Sequence, residues 1–113
     1  MVDRIQIFIG FDHRERAATN VLIDSLYNNS QLPISITPLV TTQLRKQKLY
    51  WRERDENQST DFSFTRFLVP YMMNYQGWAV FMDCDILCRT DISELVNFYD
   101  DKFSLMCVKH NHL

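Results

Sequence analysis

Apolar positions fall into four short runs and several periodic stretches. Ile5-Gln6-Ile7-Phe8-Ile9 is the first run, mostly apolar, as a strand covered on both faces is. Gly10-Phe11-Asp12 follows it, and glycine there suits a tight turn or a close backbone approach as the chain leaves the sheet. From about Arg14 to Asn29, Ala18, Val21, Leu22 and Leu26 share the face of a helix. Asp12 is placed to cap that helix. Asn28-Asn29-Ser30 and then Pro33 end it. Ile34 to Val40 reads as a second strand, in which Pro38 removes a ladder donor and favours an edge or a bulge.

Thr41 to Thr60 has no clear period and reads as a long, solvated, charged loop, a feature that is often functional in a small domain. Phe64, Phe67, Leu68, Tyr71, Met72 and Tyr75 then make the strongest helical pattern in the chain. Thr60 or Asp61 can cap this helix, Gly77 can end it, and Pro70 inside it implies a kink or a lost bond to the carbonyl of Arg66. Trp78 to Met82 reads as a buried central strand. Asp91 with Glu94 fits a capping box, predicting a short helix over Ile92–Tyr99. Phe103 to Val108 reads as a last strand near an open sheet edge, a route to self-association. Strands alternating with helices at these lengths predict an α/β fold: a Rossmann-like, three-layer, mostly parallel sheet.

The 113 residues suit one small domain, and 46% hydrophobic content argues against disorder. A net charge of −2 gives no electrostatic case for nucleic acid, although Tyr50 and Trp51 lie among basic residues. The apolar run at the amino end is too short for a signal-peptide core, and nothing approaches a membrane span. The chain reads as soluble and cytoplasmic. Cys84, Cys88 and Cys107 are an odd set, two of them beside apolar strands, which fits reduced buried thiols. With His110 and His112 they could instead supply zinc ligands in a zinc-stabilised interaction domain.

Chemistry concentrates where the Trp78–Met82 run ends in Asp83-Cys84-Asp85. Alternation places Asp83 and Asp85 on one side of an extended backbone. Carboxylates so close repel unless a cation, donors or water intervene, and a hard divalent cation takes oxygen ligands. The carboxyl end of a strand is also where open α/β sheets place ligands. Asp-x-Asp after a strand has an ordinary reading too, since Asp favours turns and caps. Arg66 lies off the apolar stripe of its helix and reads as a surface cation or as an anion-binding group.

Three segments taken together resemble a known group: Ile7-Phe8-Ile9-Gly10-Phe11-Asp12 with Arg14-Glu15, Phe64-Thr65-Arg66-Phe67-Leu68-Val69-Pro70, and Phe81-Met82-Asp83-Cys84-Asp85-Ile86-Leu87 with Asp91-Ile92-Ser93-Glu94-Leu95. In this order they resemble glycosyltransferases of the A-type fold, nearest the family 8 pattern and its bacterial relatives. The resemblance implies a nucleotide-sugar donor at the strand ends and an acceptor it does not identify. Asp83 and Asp85 would hold Mn²⁺ or Mg²⁺ on the donor diphosphate, Ile9, Gly10, Phe11 and Asp12 would line base and ribose, and Arg66 would face the nucleotide. Members of this group are usually much longer, their second half carrying the acceptor site and often a His ligand. The resemblance therefore implies that residues 1–113 are one nucleotide-sugar-binding domain, an amino-terminal donor-binding part. It fits either a metal-dependent transferase or a nucleotide- and metal-binding unit without transfer.

Overall fold

A computed structural model of the chain describes residues 2–109. Its middle is β1 (Ile5–Gly10), which pairs in parallel with β2 (Ile34–Leu39) on one side and with β3 (Ala79–Asp83) on the other. Ile5 sits opposite Ile34 in the first ladder, and Phe8 opposite Phe81 in the second. The parallel α/β architecture is the expected one. Pro38 lies in the flanking strand β2, where a missing ladder donor is tolerated.

Alternation along β1 supplies two cores. Ile5, Ile7 and Ile9 face one way, against Leu22 and Leu26 of α1 (Arg16–Asn28). Phe8 faces the other way, against Leu39, Leu44 and Tyr50. Burial on both faces makes the fold three-layered. Ahead of α1 lies a 3₁₀ turn, His13–Glu15, whose cap is Asp12. On the Phe8 face lie α2 (Thr41–Lys46) and a 3₁₀ segment, Thr65–Leu68, running into α3 (Val69–Met72). Asp91 caps a further 3₁₀ segment, Ile92–Phe98, by accepting from the Ser93 amide. None of the helices among the described residues is long and apolar enough to cross a membrane.

Four expectations need correction. The strand ending in Asp83 is not central: β1 takes the middle, and among the described residues β3 pairs with β1 alone. Phe103–Val108 is not a strand but an exposed irregular segment, with Leu105 and Val108 each 81% exposed. Strand propensity there finds neither a ladder nor a face to bury, so the open edge among the described residues belongs to β3 and β2 instead. The helix expected over Phe64–Tyr75 is a 3₁₀ turn joined to one α turn. Pro70 sits at the start of that α turn, where its missing N–H costs nothing, and Asn74 and Tyr75 end it with positive φ. Lastly, the loop after β2 begins with α2.

Candidate nucleotide and metal site

The ladder register brings Gly10, Leu39 and Asp83 to one edge of the sheet. There the chain turns out of β3 through Asp83, Cys84 and Asp85, which are exposed, buried and exposed in turn. The strand ends at Asp83 and the chain turns at Cys84 and Asp85, so the extended backbone expected through Asp85 is not kept, although both carboxylates are exposed. Cys84 is the anchor: fully buried, its thiol donates to Oε2 of Glu15 at 3.1 Å. Burial, and then the Glu15 carboxylate, raise the thiol pKa, so the sulfur stays protonated. Both carboxylates are thereby held towards solvent while the residue between them is fixed to the start of the first helix.

Arg66 is exposed, and its guanidinium lies 5.3 Å from the centroid of the Phe81 ring. Phe81 and Asp83 are two residues apart on β3 and share a side. Arg66 therefore stands on the same side of the strand as the first carboxylate, roughly 7 Å back along it by strand rise. Arg66 and Asp83 thus lie along one side of β3, while Asp85 follows in the turn beyond the strand.

The loop after β1 is differently disposed. Ile9 is fully buried in the core below α1. Gly10 is covered by the ring of Phe62: a Cβ at Gly10 would lie 2.5 Å from two of its atoms. Phe11 is half-buried, with the Arg16 guanidinium 5.6 Å from its centroid. Asp12, only 1% exposed, accepts from Arg14 Nε at 3.0 Å, Arg14 Nη2 at 2.7 Å, the Arg14 amide at 3.0 Å and the Asp61 amide at 3.2 Å. Hydrogen bonding from the Arg14 side chain holds its carboxyl far below the usual carboxylate range, against the opposing effect of burial. Within Ile9–Asp12, Phe11 alone presents a side chain outward.

The sequence offered Asp61 only as a helix cap, but the 3₁₀ segment Thr65–Leu68 has no side-chain cap and Asp61 serves elsewhere. Its carboxylate meets His13 Nδ1 at 2.9 Å and pairs with Arg54, while its amide reaches Asp12. Nothing local signals this, because His13 and Asp61 are 48 residues apart. Asp12, His13 and Asp61 have ligand-type atoms within 4.8 Å of one another. Both Asp12 oxygens are already engaged by Arg14, which disfavours a cation there. The cysteines do not converge among the described residues: Cys84 bonds Glu15, Cys88 donates to the Thr90 carbonyl at 3.0 Å, and Cys107 is exposed. His110 and His112 lie outside the described residues.

Comparison with known proteins yields one curated relative. Protein CDI of Arabidopsis thaliana is 50% identical to this chain over 107 residues, 95% of the chain and 41% of the relative. The chain thus spans about two fifths of that relative's length. No protein-family model matches the chain, and no solved structure matches it.

Proposed function

We propose that the chain holds the nucleoside diphosphate of a nucleotide-sugar donor and takes part in metal-dependent transfer of the sugar to an acceptor. The observation that carries this reading is the pair Asp83 and Asp85, both exposed at the carboxyl end of β3 on either side of buried Cys84. Two hard oxygen donors facing solvent suit Mn²⁺ or Mg²⁺, with diphosphate oxygens and water completing the shell. Such an ion supplies Lewis acidity to a departing diphosphate. Arg66 adds a planar cationic donor on the same side of β3.

A second reading, binding without transfer, draws on the small ligand set. Among the described residues, Asp83 and Asp85 belong to no cluster of three metal-ligating groups. Calorimetric titration with UDP and GDP, with and without Mn²⁺, tests the donor reading. Asp83→Asn and Asp85→Asn should each remove most of the Mn²⁺-dependent affinity, at least about tenfold or ~1.4 kcal/mol, with the fold retained. Unchanged metal dependence in both variants would overturn the site. Turnover of UDP-glucose or GDP-mannose, the sugar appearing on water or an added acceptor, separates transfer from binding alone.

A further inference from the structure

On the sheet face opposite α1 a cleft of about 280 Å³ opens between the segment Leu49–Arg52 and the segment Phe64–Leu68. Its walls are the aromatic side chains of Tyr50, Trp51, Phe64 and Phe67 with two leucines and one cation, Arg52, while Arg45 stands behind Tyr50. Arg52 lies 3.8 Å over the Phe64 ring, and Arg45 lies 4.8 Å over Tyr50. Trp51 is 83% exposed and Phe67 73% exposed, an unusual display for two large aromatic side chains so close together. None of the lining residues is acidic. A larger cleft of about 450 Å³, from Tyr27 to Ile34, lies towards the amino ends of the strands and has no charged lining residue.

We propose that the Trp51–Phe67 cleft takes up a nucleobase. The inference rests on the donor reading above: the base would belong to the nucleotide whose phosphates meet Arg66 and the Asp83–Asp85 pair. Three observations support it. Phe67 follows Arg66 on one 3₁₀ segment, so cleft wall and phosphate cation belong to the same turn. The loop after β1, which the resemblance assigns to the base, is filled by Phe62 and by the Asp12–Asp61 contact. The cleft is smaller than the roughly 300–1,000 Å³ of sites that enclose whole drug-sized ligands, and so suits a single ring system. Aromatic faces accept any base by stacking, and guanidinium groups complement the attached phosphate.

Intrinsic fluorescence tests this directly, because the chain has two tryptophans and Trp78 is stacked on Tyr99 at 4.9 Å. In Trp78→Phe protein with EDTA present, at least one of UMP, GMP, AMP and CMP should quench Trp51 saturably, and ribose 5-phosphate should not. Trp51→Ala and Phe67→Ala should each weaken calorimetric binding of that nucleotide about tenfold, without loss of fold, since both side chains are exposed. Quenching by mononucleotides with no Mn²⁺-dependent gain for diphosphates would uphold the cleft and count against the donor reading. Metal-dependent UDP or GDP binding with Trp51 fluorescence unmoved, or equal quenching by ribose 5-phosphate, would overturn the cleft.

Discussion

The Cys84 thiol donates to Oε2 of Glu15 across 69 positions of sequence, tying the exit of β3 to the start of the first helix. Burial keeps that thiol protonated, and thiolate is the reactive form. In native protein, Cys84 should therefore be the slowest thiol towards an aromatic disulfide reagent, and exposed Cys107 the fastest. Cys107→Ser should abolish the fast phase, and unfolding in urea should equalise the remaining thiols. Fast labelling that survives in Cys107→Ser,Cys88→Ser protein would show that Cys84 is accessible and the loop is not anchored as described. Cys84→Ala should cost about 1 kcal/mol by the usual scale of buried substitutions.

Much of the architecture is legible in short apolar runs. Ile5–Ile9, Ile34–Leu39 and Ala79–Met82 become strands, and Leu22 with Leu26 marks the buried side of α1. Strand order is not legible, because β1 and β3 are similarly apolar and only pairing decides which takes the middle. Helix α2 escapes because its six residues bury a single side chain, Leu44, too little for a period to register. Phe67, Tyr71 and Tyr75 share a helical stripe with Phe64 and Leu68 yet remain exposed. A periodic stripe predicts a face without saying what covers it. At the site, the exposure of Asp83 and Asp85 agrees with the sequence pattern, but strand alternation is not its cause, because β3 ends at Asp83 and Cys84–Asp85 form a turn. The Asp12–Asp61 contact forms across 49 positions and leaves no local signature.

Asp12 gives the chain a defined weakness in acid. Its folded-state pKa is depressed, chiefly by the Arg14 side chain. A depressed carboxyl contributes stability that is present above the unfolded value, near about 3.9, and is lost as pH falls from there towards the folded value. Asp12→Asn should cost about 2 kcal/mol at pH 7, the scale of hydrogen bonds to a charged group. The difference from the native chain should shrink below about pH 4. Urea midpoints for both proteins between pH 7 and pH 3 check this, and a constant gap across that range would refute it.

Gly10 is required by space rather than by backbone angle. Gly77 is the glycine with positive φ among the described residues, whereas a Cβ on Gly10 would meet three atoms of Phe62 at 2.5–2.9 Å. Gly10→Ala should destabilise by about 1–3 kcal/mol through overpacking. Adding Phe62→Leu should recover part of that loss, so the two substitutions should couple in a double-mutant cycle. Strict additivity would mean that the segment carrying Phe62 does not press on the end of β1.

Arg66 has two possible uses that its variants can separate. Its guanidinium lies over Phe81, which precedes Asp83 by two positions and shares its side of β3. A cation held on an aromatic face can contribute to the fold, by up to about 1 kcal/mol at an exposed site. It can also meet a diphosphate, for which the planar fork matters more than the charge alone. If phosphate is its partner, Arg66→Ala should weaken binding of UDP or GDP about tenfold, ~1.4 kcal/mol, and leave binding of the parent nucleoside unchanged. Arg66→Lys, which keeps the charge and loses the fork, should fall between. Phe81→Leu should reproduce part of the loss by freeing the guanidinium from its platform. Because Arg66 is exposed, Arg66→Ala should shift stability by no more than about 0.5 kcal/mol. Equal losses for nucleotide and nucleoside, or a fall in urea midpoint as large as that for Asp12→Asn, would assign Arg66 to the fold instead of the phosphates.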